Sequence, residues 1–178
     1  MSVHDSTSKR YITPQPSDAW TADAATQGKV GSQSLLGVDH TPAGPDAGAA
    51  LNLAHDAQVV LRRRLMLADD QPVELAYSYY PAALADGTPI AENKKIKGGA
   101  LRVLTETGHG IDHVAEQITA RRPDTDEARL LDVPGDEPLI VLSRISYDAA
   151  DEPVEYAVNR MVASRTAPLS YQIRSSEP

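Results

Sequence analysis

Three consecutive arginines, Arg62, Arg63 and Arg64, interrupt an otherwise apolar run that ends at Leu67. Alternation along a strand sends Arg62, Arg64 and Met66 to one face and Leu61, Arg63, Leu65 and Leu67 to the other. The leucine face is a core face, so Arg64 belongs to the opposite one. There its guanidinium is either solvated or, on a concave surface, a clamp for an anion. Arg144 plays a comparable part in a second apolar run. The competing assignment pairs these strand arginines across their hairpins with Glu74 or Glu155, and both assignments stay open at this level.

A second constellation, His109-Gly-Ile-Asp-His113-Val-Ala-Glu116, has metal-ligand spacing only if it is helical, with its three ligands at i, i+4 and i+7. Gly108 and Gly110 bracket the first histidine, and β-branched Ile111, Val114, Ile118 and Thr119 follow. On a strand the two histidines stand ~13 Å apart, so no metal is expected. No serine sits in a nucleophile elbow, and His4, His40 and His55 have no motif around them. Gly98-Gly99 opens a helix whose free amides offer an anion site, although turn chemistry is the preferred reading of a lone glycine pair.

Composition removes whole classes of function. The 178 residues hold no cysteine, which excludes disulfides, thiolate nucleophiles and cysteine-bound zinc. A formal charge of −8 argues against nucleic-acid binding through this chain's own surface, since such surfaces concentrate Lys and Arg. The two basic clusters are Arg62–Arg64, inside a strand, and Lys94–Lys97, a short loop run. No segment approaches the ~20 apolar residues of a membrane span, and Met1–Arg10 is too polar for a signal peptide. A cytoplasmic protein without cofactor is expected. With no Phe and one Trp, its core must be built from Leu, Val, Ile and Ala.

The elements that position these residues are written twice. Residues 59–76 reappear without a gap as residues 140–157, with 9 of 18 positions identical, among them Arg63/Arg144, Asp70/Asp151, Pro72/Pro153 and Glu74/Glu155. Each copy reads as a long antiparallel hairpin, Gln58–Leu67 with Pro72–Tyr80 and Leu139–Tyr147 with Val154–Ala163. Each follows an Ala/Leu-rich helical stretch, Ala47–Leu53 or Asp126–Val133. The spacing of 81 residues is too wide for a solenoid, so pseudo-symmetric halves with a cavity between them are expected.

Around these units, residues 1–17 read as a flexible arm and 18–178 as one domain. Trp20–Gly28 suits a short helix stopped by glycine, and Ser32–Asp39 suits a strand. Residues 82–97 are irregular with one helical turn, and Gly99–Thr107 is an amphipathic helix closed by Gly108. Ile111–Arg121 is a strand, Thr125 starts a helix with Asp126 and Glu127 in its first turn, and Leu169–Ile173 is extended. Six or seven antiparallel strands with helices between them make an α+β domain.

The order of the pieces resembles the ligand-sensing UTRA domain of GntR-superfamily, HutC-type bacterial transcription regulators. The resemblance spans about residues 18–173. It is carried by Arg64-Leu-Met-Leu-Ala-Asp-Asp-Gln-Pro-Val, Tyr79-Tyr-Pro, Gly99-Ala-Leu-Arg-Val-Leu and Glu116-Gln-Ile-Thr-Ala-Arg. Asp126-Glu-Ala-Arg-Leu-Leu-Asp-Val-Pro-Gly, Arg144-Ile-Ser-Tyr-Asp and Glu-Pro-Val-Glu155-Tyr complete it. It implies a chorismate-lyase-like antiparallel sheet flanked by helices, with an effector pocket. It also implies a homodimer, and a winged helix-turn-helix domain, absent from this chain, that binds DNA when the effector signals.

The effector site implied is Arg64, Met66, Ser78, Tyr80, Gly99, Arg144 and Glu155, between the sheet and the helix that begins at Gly99. Relatives that sense phosphorylated sugars carry Arg where Met66 stands and Ser where Gly99 stands, and a charged pair where Ala76-Tyr77 stands. A pocket built from Met66, Ala76, Ser78, Tyr80 and Glu155 favours a less charged, more apolar ligand. The resemblance makes the chain a sensor and not an enzyme. The alternative is a lyase of the same fold acting on a small carboxylate, with Arg64 as clamp and Glu155 as acid.

Overall fold

The computed structural model describes residues 4–6 and 19–173. Six strands form one antiparallel sheet: β2 (Gly31–Pro42), β3 (Gln58–Ala68), β4 (Gln71–Pro81), β5 (Ile111–Arg121), β6 (Leu139–Asp148) and β7 (Pro153–Val162). Their spatial order is β2-β3-β4-β7-β6-β5. A pseudo-two-fold axis therefore runs between the central strands β4 and β7. The two repeated hairpins are the middle of the sheet, and β2 and β5 are its edges. Ile111–Arg121 is a strand, as its β-branched residues require, which removes the helical geometry a metal site would need.

One face of this sheet is covered symmetrically. Helices α2 (Gly44–Ala50) and α5 (Thr125–Leu131) each precede a hairpin, and each reaches the central strand of the other half, α2 against β7 and α5 against β4. Leu131 packs there with Leu75, Leu139, Val158 and Val162, while Ala47 and Leu51 pack with Val59 and touch Tyr79 and Tyr156. Leu65 packs against that cluster, so its side of β3 faces the aliphatic core as alternation predicts, whereas Leu61 and Leu67 are only partly buried. A capping box starts α5, with Asp124 accepting from the Glu127 amide and Glu127 accepting from the Asp124 amide, two otherwise orphaned donors satisfied.

The opposite face is covered by unequal parts. At one end lie α3 (Ala82–Ala85), a single 3-10 turn at Pro89–Ala91 and α4 (Gly99–Glu106). Their Ala85, Ile90, Val103 and Leu104 close a core with Val60, Tyr80 and Val154. At the other end lies α1 (Ala19–Thr26), whose Trp20 packs on Met66, Ala68, Val73 and Ala76 and donates its indole N–H to the Leu67 carbonyl at 3.0 Å.

Local expectations hold with small displacements. The helix expected at Ala47–Leu53 begins earlier, at Gly44, with Pro45 and Asp46 in its first turn, where proline and acidic residues are favoured. The irregular stretch 82–97 contains α3 and the 3-10 turn. The expected arm, residues 1–17, lies outside the described residues except for β1 (His4–Ser6), which pairs antiparallel with β8 (Tyr171–Ile173). That pairing makes His4–Ser6 part of a two-stranded sheet and not a loose end.

Candidate functional site

Strand pairing assembles the polar residues of the unequally covered face into rows across four strands, β3, β4, β7 and β6. One row runs Arg64, Ala76, Asn159, Leu142 and the next Arg62, Ser78, Ala157, Arg144, extended by Glu116 on β5. Glu74 stands opposite Met161 at one end, and Glu155, two residues before Ala157 on the same side of β7, stands opposite Ser146 at the other. The two rows are related by the pseudo-two-fold: Ala76 answers Ala157, Asn159 answers Ser78, Arg64 answers Arg144, and Glu74 answers Glu155. Two buried alanines at the centre keep the floor low between longer side chains.

This equivalence corrects the gap-free repeat. Sequence alignment sets Arg63 against Arg144, whereas the sheet sets Arg64 against Arg144. The cause is the turns. The first hairpin closes through Asp69-Asp70 alone, both with positive φ (50° and 62°), as a two-residue hairpin turn requires. The second closes through residues 149–152, with Asp151 at φ 64°. Pairing is offset by one residue between the copies, and a one-residue slip exchanges faces. Arg63 accordingly points away from the polar floor and bonds Asp39 at 2.7 Å, whereas Arg144 lies on the floor.

The expected site residues separate into bonded pairs. Arg64 donates to the Ser78 hydroxyl at 3.1 Å, and its buried Nε has no partner. The Tyr80 hydroxyl donates to Glu155 at 2.6 Å. Burial, with the Glu155 charge beside it, drives the Tyr80 phenol far above the ordinary tyrosine range, so this hydroxyl remains a donor. Arg144 donates from Nε to Glu116 at 2.7 Å, and both side chains are largely buried. The alternative pairing of strand arginines with Glu74 or Glu155 by hydrogen bonds is therefore not the one formed. Met66 is buried against Trp20. Gly99 opens α4 at φ 76° with no atom within 4 Å of the position its Cβ would take, so it marks a turn and has no close contact with the floor.

Arg62, which alternation set beside Arg64, has a structural task. It is 4% exposed and donates to the carbonyls of Ile90, Glu92 and Lys94 at 2.7, 2.9 and 2.8 Å, tying the 90–94 segment to β3. The histidine constellation is dispersed. His109 lies 3.2 Å from Asp148, and His113 stacks on Tyr147 with ring centroids 4.8 Å apart. No group of three metal-ligating side chains is gathered among the described residues.

A cavity of about 100 Å³ opens over the floor on the α1 side. Glu74, Asn159, Arg144, Leu142 and Met161 line it from the sheet, Trp20 and Asp23 from α1, and Arg165–Leu169 from the C-terminal segment. Of the expected site residues only Arg144 lines it. Under α4 the face is instead filled by the apolar contacts of Val103 and Leu104. Glu74 and Asn159 were not singled out as site residues. The repeat carried the signal for the first, because Glu74 is the counterpart of the selected Glu155.

Glu74 is the most perturbed carboxylate of the floor. Burial pushes it up to about 7, against the pull of Arg64 and Arg144, and Asp23 adds to the rise. It makes no hydrogen bond to a described residue, whereas its counterpart Glu155 has Tyr80.

Comparison with known proteins fits this arrangement. The UTRA domain family matches residues 26–167. An uncharacterized HTH-type transcriptional regulator of Streptomyces coelicolor is 31% identical over 154 residues, covering 84% of this chain and 57% of that protein. This chain thus spans little more than half the length of that relative. The effector domain of PhnF from Mycobacterium smegmatis has the same fold, with a TM-score of 0.73 at 24% identity over 85% of this chain and 93% of that one. A putative transcriptional regulator from Streptomyces coelicolor gives 0.71 at 25% identity over 84% and 97%. The C-terminal domain of a histidine utilization repressor from Pseudomonas syringae gives 0.67 at 17% identity over 83% and 99%. The antiparallel sheet with its helices is the expected chorismate-lyase-like α+β arrangement. Family match, regulator relative and shared fold agree, and the chain belongs to the UTRA domain family.

Proposed function

We propose that this domain senses a small molecule in the cavity over the β3-β4-β7-β6 floor and passes the event to a DNA-binding domain of the HutC type. The observation that carries the proposal is the polar floor itself. Glu74 and Asn159 line the cavity without a hydrogen bond to a described residue, and Glu74 is desolvated there. Buried polar groups are ordinarily hydrogen-bonded, and a ligand supplies partners at the moment of binding. Arg64, Ser78, Tyr80, Arg144 and Glu155 form the bonded framework of this site, Met66 is its apolar end, and Gly99 is the turn that admits α4.

Turnover is not part of this reading. Glu155, the acid that a lyase would need, accepts the Tyr80 hydroxyl and is occupied in a structural bond. A cytoplasmic homodimer completes the proposal. Two-fold symmetry matches the paired half-sites such regulators read, and the edge strand β5 carries Ile118 at 43% exposure, an apolar spot for a second copy to cover. No helix among the described residues is long and apolar enough to cross a membrane.

A thermal-shift screen of small metabolites on this chain tests the sensing function, because a specific ligand raises the melting temperature by mass action. A hit should also change operator binding by a longer regulator carrying the domain. A screen in which no metabolite stabilises the chain would sink the proposal. Light scattering that finds a monomer at high concentration would remove the dimer from it for this domain.

A further inference from the structure

The floor has two environments related by the pseudo-two-fold, one around Glu74 and Ala76 and one around Glu155 and Ala157, and the cavity opens over the Glu74 side. Around Ala157 the polar groups are committed to one another: Glu155 to Tyr80, Arg144 to Glu116, and Ser78 to Arg64. Around Ala76 stand Glu74 and Asn159, neither hydrogen-bonded to a described residue, and both line the cavity. The two environments share one backbone arrangement and differ in what remains open to a ligand.

We propose that the cavity bordered by Glu74 and Asn159 binds the ammonium group of a small primary amine, held by the Glu74 carboxylate and the Asn159 side chain. Its short apolar tail lies against Met161, Leu142 and Trp20. This inference rests on the sensing function proposed for the same cavity and names the ligand class. Four features favour an ammonium over an anion. The nearest acceptor, Glu74, is a carboxylate without a hydrogen-bond partner among the described residues. Asp23 on α1 adds a second negative charge close enough to act on Glu74. The guanidinium of Arg144, which shares the cavity, is bonded to Glu116. Arg165, on the opposite wall, is occupied by the carbonyls of Pro72, Leu131 and Asp132. The size fits a short tail, since an apolar cavity of roughly 150 Å³ accepts benzene and this one measures about 100 Å³.

The charged groups that face Glu74 are Arg64 on β3, Arg144 on β6 and Asp23 on α1, with Lys29 and Arg165 on the cavity wall. Burial is the largest influence and holds Glu74 near neutrality around pH 7. An incoming ammonium favours the ionised carboxylate, so binding is coupled to release of the Glu74 proton. Affinity for an amine therefore falls as pH drops below about 7, by roughly tenfold per unit for one linked proton.

The test is calorimetric titration and thermal shift of the chain with n-butylamine, n-butanol and butyrate at pH 8, repeated at pH 6. The amine should stabilise and bind, the alcohol and the acid should not, and binding at pH 6 should be about tenfold weaker. Glu74→Gln should weaken amine binding by at least tenfold and abolish its pH dependence. Asn159→Ala, a second variant, should weaken it while keeping that dependence. Equal stabilisation by butyrate or butanol overturns the assignment. So does undiminished amine binding by Glu74→Gln, or no response to the amine at all. If some other metabolite stabilises both wild type and Glu74→Gln, the sensing function stands and the ammonium assignment falls.

Discussion

Glu74 and Glu155 occupy the same place in two copies of one motif, Pro-Val-Glu, on two strands related by a pseudo-two-fold axis. Their surroundings make them different reagents. Across β7 from Tyr80, Glu155 accepts a short hydrogen bond and acts as a structural acceptor. Opposite Met161, Glu74 has no such donor and is pushed up to about 7 by burial. Duplication supplies equal backbones and equal carboxylates, and the residue across the strand decides which carboxylate stays chemically available. The coverings differ in the same direction. α4 packs its end of the face with Val103 and Leu104, whereas α1 leaves a cavity at the other.

The comparison breaks most readily at Glu74. Its native pKa is raised above the ordinary 4.5, so the folded state holds a proton that the unfolded state has released between those values. Stability attributable to this group is intact below about pH 4.5 and declines as pH rises through about 7. A shift of this size corresponds to on the order of 3 kcal/mol as an upper bound. Glu74→Gln should therefore raise stability at pH 8, by ~1–3 kcal/mol, and leave it nearly unchanged at pH 4. Urea unfolding at the two pH values checks both the size and the sign. A loss of stability at pH 8 would show that Glu74 is a paired structural carboxylate like its counterpart.

The counterpart should respond with the opposite sign. Glu155→Ala leaves the Tyr80 hydroxyl buried without an acceptor, which costs ~1–3 kcal/mol. The double variant Tyr80→Phe with Glu155→Ala should recover part of that loss, because both polar partners are then gone. A double-mutant cycle by chemical denaturation measures the coupling. Additive losses would mean that the Tyr80–Glu155 bond is not what distinguishes the two halves.

The smallest effect concerns the turns that set the register. Asp70 and Asp151 both hold positive φ, at 62° and 64°, a region glycine enters without a Cβ penalty. Asp70→Gly and Asp151→Gly should each change stability by only ~0.5 kcal/mol, because Asp tolerates this region and glycine carries a larger unfolded-state entropy. Amide exchange along β3 and β6 should keep its pattern in both variants. A changed pattern in one of them would show that its turn residue, and not the hydrophobic faces, holds the register there.

The α+β class, both hairpins, the helices before them and the likeness of the two halves were legible in the residues. Alternation and turn chemistry are local, and the repeat is gap-free. The face assignment of Arg62, Arg64 and Met66 was legible for the same reason. The equivalence of Arg64 with Arg144 was not visible in the alignment, since it depends on how many residues each turn leaves unpaired. Equally invisible was the difference between Arg62, spent on the carbonyls of Ile90, Glu92 and Lys94, and Arg64, which remains on the floor. Those partners arrive from 28 to 32 residues away, beyond any local pattern.

The sequence by itself thus determined which elements form, which faces are apolar and which family the chain resembles. The first two depend on neighbours within one strand or one helical turn, and the third on the order of motifs along the chain. Only the tertiary structure decided that Glu74 and Asn159 border the cavity while Glu155 is bonded and Gly99 stands apart. Side-chain availability depends on what packs across the sheet and above it, and those contacts are made between residues far apart in the chain.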